Sequence, residues 1–429
     1  MAAVRPAGLP RSTNRGPPRS HCPMARDYQE PLGRAGSDAG ATPTRAIAVL
    51  ALASFASAAN LRVCDPLLPQ IAGELQVTIG TAAMMVTAFA IAYGVFQVVV
   101  GPLGDARGKL LMVVLGSVWA GAFTVVAALM PSLGPIVLTR FLAGAGGAAV
   151  IPVAMAWIGD VVPYERRQPV LARFLSGQIL GIVFGQAAGG LLGEMVGWRG
   201  ALVVLGIVHI IAGLLLLAER RRLTVGVPPP ARTRWREAAT MTWTILQRRW
   251  VRIVLATVFF EGGAMFGALA YVGADLHQRF GIGPGAVGAL LATFGVGALL
   301  YALTAGRMIA HLGQAGLAIA GAAILAAGYA TLAFMPWVWL ASPAVACIGL
   351  GFYMFHNTLQ TNGTQMAPEA RGLGMSLFAF VLFVGQSVGV AVAAPIMDRY
   401  GGGPIFLLAA VAVLAIAFWF RRQLGHQPA

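Results

Sequence analysis

The chain has 429 residues, 58% hydrophobic and only 10% charged, with a formal net charge of +15. A soluble domain carries roughly a quarter charged residues, so this composition excludes an ordinary water-soluble globule and requires lipid as part of the solvent. The basic residues lie between apolar stretches, which fits membrane topology and argues against nucleic acid as a partner.

Residues 1–44 are rich in Arg, Pro, Gly and Ser without hydrophobic periodicity. They are expected to form a disordered cytoplasmic tail, lack the apolar core of a signal peptide, and contain a candidate alternative start at Met24. A spanning helix needs about 20 apolar residues. Windows of that kind fall at 46–65, 79–100, 111–130, 136–159, 170–192 and 200–218, then at 251–273, 285–305, 314–334, 338–361, 373–395 and 403–420. Between the two sets lies a polar stretch with Arg220, Arg221, Arg222, the Pro228-Pro229-Pro230 run, Arg232, Arg234, Arg236, Arg248 and Arg249. The expected fold is therefore an all-α membrane protein with twelve transmembrane helices in two pseudo-symmetric six-helix bundles. The expected domains are a bundle over 45–218, a cytoplasmic linker over 219–249, a second bundle over 250–420 and a short tail over 421–429.

Charge predicts the orientation. With both termini in the cytoplasm, all of the 30 Lys and Arg residues fall on that side except Arg62, Arg140, Arg199, Arg279 and Arg399. The reverse topology would invert the positive-inside asymmetry. Cys22, Cys64 and Cys347 form no CxxC pair, and no His/Cys cluster has metal-ligand spacing, so neither a disulfide framework nor a metal site is predicted.

The two halves repeat. Gly101-Pro-Leu-Gly-Asp105-Ala-Arg107-Gly108-Lys109 follows the second window, and Gly306-Arg-Met-Ile-Ala310-His-Leu312-Gly313-Gln314 follows the eighth. Gly181, Gly185 and Gly189 recur at every fourth residue, as do Gly385, Gly389 and Ala393. Glu194 and Gly197 correspond to Asp398 and Gly401 at the same offset. Parallel repeats of this size are typical of transporters.

Over roughly residues 45–420 the sequence resembles the major facilitator superfamily, in its twelve-helix, drug/proton-antiporter-like form. Gly101 to Lys109 resembles the family's loop signature, Gly-x-Leu-x-Asp-x-x-Gly-Arg/Lys. Arg140 with Gly144, Gly146 and Ala148 resembles the signature of the fourth helix, with Ala143 where glutamine is frequent. The segment from Gly181 to Gly190 resembles the antiporter signature of the fifth helix, with Gln186 in place of its proline. Asp65-Pro-Leu-Leu-Pro69-Gln-Ile-Ala72 resembles the end of the first helix in drug-efflux members. The resemblance implies a secondary transporter working by alternating access, with a loop latch at Gly101, Asp105, Arg107, Gly108 and Lys109 that favours the outward-open state. Ala310 and Leu312 replace the acid and the Arg in the second copy, so the N-terminal copy is expected to dominate gating.

Single residues carry the chemistry. Glu261 lies near the membrane midplane in the seventh window, where an unpaired ionised carboxylate costs at least roughly 2.5–3.5 kcal/mol. It is a candidate proton-coupling or substrate-binding group; a neutral structural carboxyl is the alternative. Arg140 needs an acid, a carbonyl or water, and the resemblance links it to proton coupling. Asp65 is a candidate partner, competing with a local Arg62–Asp65 pair at i, i+3; both hold if the three form a cluster. Asn60 is either a substrate contact or a helix contact. Tyr353, His356, Asn357 and Gln360 share one face of the tenth window and read as a cavity wall. His356 is either titratable near neutral pH or structural. Tyr93 with Gln97, and Gln178 with Gln186, make weaker polar stripes, and His209 reads as structural. Phe259, Phe260, Phe266, Phe352 and Phe355 either line an apolar pocket or pack. The Gly181/Gly185/Gly189 face, and Gly385 with Gly389, allow close helix packing.

The expectation is proton-coupled efflux of a small hydrophobic or cationic compound or metabolite, from a monomer in a bacterial inner membrane. The partners are the lipid bilayer, a small-molecule substrate and protons. A proton symporter importing a small anionic nutrient through Arg62 and Arg140 is the alternative, and a membrane enzyme or non-transporting sensor is a remote one. No ATP-binding loop of the Gly-x4-Gly-Lys-Ser/Thr kind occurs, and no cofactor is expected.

Overall fold

The computed structural model describes residues 44–223 and 235–424. The tail over residues 1–43, the proline run of the linker and residues 425–429 lie outside the described residues. All regular structure among the described residues is helical. Ten stretches are long and apolar enough to cross a membrane, and two of them, of 54 and 51 residues, are double length. Each of these two breaks at a glycine with non-helical backbone, Gly197 and Gly313, which makes twelve crossings.

In chain order these are α1 Thr44–Leu75, α2 Ile79–Arg107, α3 Lys109–Leu129 and α4 Leu133–Val161. Then follow α5 over 164–196 and α6 over 198–223. The second set is α7 Arg249–Phe280, α8 over 284–312, α9 over 314–334, α10 Val338–Gln365, α11 Arg371–Tyr400 and α12 Gly402–Leu424. A short helix, Trp235–Gln247, precedes α7 within the stretch read from sequence as linker.

The backbone records the duplication. The residues with positive φ are Gln76, Gly108, Gly197, Gly281, Gly313 and Gly401. They form three pairs, 76/281, 108/313 and 197/401, separated by 205, 205 and 204 residues. Each pair ends or joins helices at the same place in its own bundle. Glycine takes this conformation without a Cβ penalty; among the described residues only Gln76 does so with a side chain.

Arginines tie off one end of each bundle in matching ways. Arg199 donates to the carbonyls of Ala128 and Met130 and to Glu74 of α1. Arg279 donates to the carbonyl of Leu332, the repeat equivalent of Ala128, and to Asp275 of its own helix. Helix ends expose unpaired carbonyls, and in both bundles a guanidinium satisfies them.

The bundles meet along α2 with α11, α5 with α8, and α1 with α7. On α2 the recorded contacts run from Thr78 to Gly94, against Phe380 to Asp398 of α11. On α5 they run from Val183 to Glu194, against Gly283 to Gly295 of α8. Toward the other end, Gly101 and its equivalent Gly306 both face open space, and Asp105, Arg107, Arg307 and residues 309–312 are exposed. The bundles are thus closed at the end carrying Thr78 and Asp398 and parted at the end carrying the loop signature.

Candidate functional site

The first polar cluster grows from a break in α1. Pro66 has no N–H to continue the ladder, and the helix passes through a 3-10 turn at Asp65–Leu67 before resuming at Leu68–Leu75. The first crossing therefore extends well beyond the window 46–65, and Asp65 lies at an interruption within it. Arg62 and Asp65 are 2% and 0% exposed. Arg62 Nη1 lies 3.6 Å from Asp65 Oδ2, an ion pair longer than a hydrogen bond, and neither Asp65 oxygen has a hydrogen-bond partner. The Gln186 amide of α5 neighbours this carboxylate without forming a hydrogen bond.

Arg140 of α4 is fully buried and turns to Asn60. Nη1 donates to Asn60 Oδ1 at 2.6 Å and Nη2 to the Asn60 carbonyl at 2.9 Å. Asn60 Nδ2 donates to Thr124 Oγ1 at 2.7 Å, and the guanidinium lies 4.3 Å from the Phe89 ring centre. Of the arrangements open from sequence, the local Arg62–Asp65 pair forms, and Arg140 makes its hydrogen bonds to Asn60 and none to Asp65. A two-pronged grip needs a guanidinium fork, which an ammonium cannot reproduce. Arg140→Lys is therefore expected to cut transport at least about tenfold while the protein still inserts, as measured by substrate flux per mole of reconstituted protein.

The second cluster joins α7 and α10. Glu261 lies near the middle of α7 and is fully buried. Its Oε2 is 2.9 Å from His356 Nδ1, and its Oε1 has no partner. The pair carries its proton on either side: Nδ1–H donates to the carboxylate, or a protonated carboxyl donates to Nδ1. His356 stacks on Phe352 at 4.8 Å and meets Phe378 edge-on at 5.5 Å.

The exposed edge of α10 is its polar one. Tyr353, His356 and Asn357 are half-buried and Gln360 is exposed, whereas Phe352, Met354, Phe355, Thr358 and Leu359 are buried. Lipid would favour the opposite arrangement. Asn357 Nδ2 donates to Tyr301 of α8. Arg62 of the first bundle lies 4.2 Å over the ring of Phe266, which packs on Phe352 at 5.1 Å. An aromatic bridge thus runs from the Arg62–Asp65 pair to the Glu261–His356 pair.

Other expected site residues sit elsewhere. Tyr93 is buried against Phe383 of α11 at 4.7 Å, part of the contact between bundles. Gln178 is half-buried on α5, outside both clusters. Gly181, Gly185 and Gly189 lie on α1 at Phe55, Ala59 and Val63, and Gly385 and Gly389 lie on α7 at Phe259 and Gly263. In the loop signature Gly108 has φ +93° and joins α2 to α3. Lys109 Nζ bridges Asp105 at 3.3 Å and Asp160 of α4 at 2.5 Å. Phe260 is exposed and Phe355 is core. His209 is buried, with neither ring nitrogen bonded.

Thr124 and Asp160 escaped the sequence reading. A lone threonine in an apolar helix and an acid at a helix end carry no periodic signal; only the fold sets them beside Asn60 and Lys109.

The sequence profile of the Major Facilitator Superfamily matches residues 50–390. A chloramphenicol resistance protein of Streptomyces lividans is 29% identical over 393 residues, covering 87% of this chain and 95% of that one. An uncharacterized MFS-type transporter of Bacillus subtilis, YceJ, is 25% identical over 77% of this chain and 83% of its own. Among solved structures, a bacterial homologue of the human lysosomal transporter Spinster, inward-facing and unoccupied, superposes with a TM-score of 0.71. It covers 91% of this chain and 100% of its own at 17% identity, a likeness of fold.

Proposed function

The chain belongs to the Major Facilitator Superfamily, a family of transporters and not of enzymes, and from that premise we propose that it exports a small hydrophobic or cationic compound in exchange for protons. The observation that carries the reading is the buried Glu261–His356 pair, with one carboxylate oxygen unbonded, beside a polar stripe on α10. The charge asymmetry supports an orientation with both termini, the loop signature and the open end of the cleft on the cytoplasmic side. Substrate then enters from the cytoplasm and contacts the ionised pair. Rocking of the bundles turns the same pair outward, where a proton takes the carboxylate and substrate leaves. Return of the protonated, neutral pair to the cytoplasmic side, where it releases the proton to the cytoplasm before the next substrate binds, completes the exchange. The name of the Streptomyces lividans relative supports export as the direction and chloramphenicol as a first probe.

Everted membrane vesicles test this. An inside-acid pH gradient is expected to drive accumulation of radiolabelled chloramphenicol or of a hydrophobic cation such as ethidium, and collapse of the gradient should release it. Accumulation only with the opposite gradient would refute export by exchange. One observation favours a second reading. Arg140 is a buried cation that forms no ion pair among the described residues, so the first cluster, with Arg62 and Asp65, carries excess positive charge. An anion imported with protons would neutralise it, and right-side-out vesicles would then accumulate the anion.

A further inference from the structure

Two acidic residues not absorbed by the proton site form a matched pair across the closed end. Asp398, at the end of α11, accepts the Gly80 N–H of α2 at 2.8 Å and the Thr78 hydroxyl at 2.7 Å. Glu194, at the end of α5, accepts the Gly285 N–H of α8 at 3.0 Å. Each carboxylate belongs to one bundle and each N–H to the other. Glu194 and Asp398 are repeat equivalents, 204 residues apart, and Gly80 and Gly285 are equivalents, 205 apart. The two contacts are therefore one interaction used twice, once in each direction.

The glycines are part of the device. A Cβ on Gly80 would lie 2.6 Å from Asp398 Oδ2, and one on Gly285 would overlap Glu194 Oε2. Only bare backbone lets the carboxylates come this close. Each N–H belongs to the first turn of its helix, where donors have no partner inside the helix and favour negative charge. Both carboxylates are surface-exposed, so when the bundles part, water can solvate the acids and the N–H groups alike. That is what a latch opened in every cycle requires: bonds strong enough to bias the closed state and weak enough to break.

We propose that Glu194 and Asp398 are twin outer-gate latches that hold the cleft closed at this end, and that they set the balance between the two access states. The proposal rests on the alternating-access reading above, and it is independent of which group carries the proton. Spin labels at Gly73→Cys, at the end of α1, and Tyr400→Cys, at the end of α11, report the gap. The background has Cys22, Cys64 and Cys347 changed to serine. Distances are measured by double electron–electron resonance without substrate or pH gradient. Each of Glu194→Ala and Asp398→Ala is expected to raise the ratio of long to short distances about three- to tenfold, the net effect of losing a typical hydrogen bond at an exposed site. The double variant should approach the product of the two.

An unchanged distribution in a monodisperse double variant overturns the proposal. If that variant does not purify as monodisperse protein, Gly285→Val decides by the same readout. The three heavy atoms nearest its added Cβ all belong to Glu194, so it keeps the acid but forces it away, and again lengthening supports the latch and no change refutes it. Glu261→Gln is assayed for transport alongside. Lost pH-driven transport in Glu261→Gln with unchanged gate distances would sink the latch alone. A shifted gate with unimpaired Glu261→Gln transport would sink only the proton site.

Discussion

Glu261→Gln is expected to abolish transport driven by a pH gradient, with a loss of at least about a hundredfold, the lower end of the range for removing one essential proton-transfer group. The amide keeps the shape of the carboxyl and can still meet His356 Nδ1, so the contact between α7 and α10 survives. It cannot release a proton. Counterflow of labelled substrate against unlabelled, with no pH gradient, should therefore persist or rise while gradient-driven accumulation disappears. This split separates a coupling group from a structural one, because a structural lesion would depress both. Gradient-driven accumulation at the wild-type rate would remove Glu261 from the mechanism. His356→Ala is expected to be milder, since the carboxylate itself remains and its second oxygen is already unbonded.

Gly389→Val is the second large effect, and it acts on folding. A Cβ at Gly389 would lie 2.7 Å from the Cα of Gly263 and overlap the Gly263 carbonyl oxygen; from the other side, a Cβ at Gly267 would meet the Gly389 carbonyl carbon at 2.7 Å. The obstructing atoms are backbone, so no change of rotamer relieves the clash. Overpacking costs about 1–3 kcal/mol where side chains can yield; here α7 and α11 must move apart, and a cost at or above about 3 kcal/mol is expected. The thermal midpoint of purified protein should fall by roughly 5–10 °C, with reduced yield. Gly306→Ala is the control. It lies in a helix, nothing stands within 4 Å of its added Cβ, and its midpoint should stay within about 1 °C of the parent. Equal loss in both variants would mean that the glycines matter for insertion and not for close packing.

Much of the architecture was legible because the bilayer imposes it. Apolar length marked the helices, and the repeat of glycines and acids marked the duplication. Twelve windows correspond to twelve crossings. The boundaries were less legible where the chain breaks locally. Apolarity alone could not show that α1 resumes after Pro66 as far as Leu75. Hydropathy also could not separate a linker from the short helix Trp235–Gln247. The same limit applies to single residues. Tyr93 and His356 are both polar aromatic groups in apolar helices, yet Tyr93 packs between bundles while His356 meets Glu261.

The sequence by itself determined the solvent, the number of crossings, the repeat and the family resemblance, because each depends on composition or on spacing along one chain. It also picked out Glu261, since an acid in the middle of an apolar helix is costly wherever its helix lies. The tertiary structure decided the partnerships: Arg140 with Asn60, Glu261 with His356, and Glu194 and Asp398 with glycines of the opposite bundle. Hydrogen bonds act over about 3 Å, and the residues they join here are 80 to 318 positions apart in the chain. Only the packing of one helix on another brings such groups within reach.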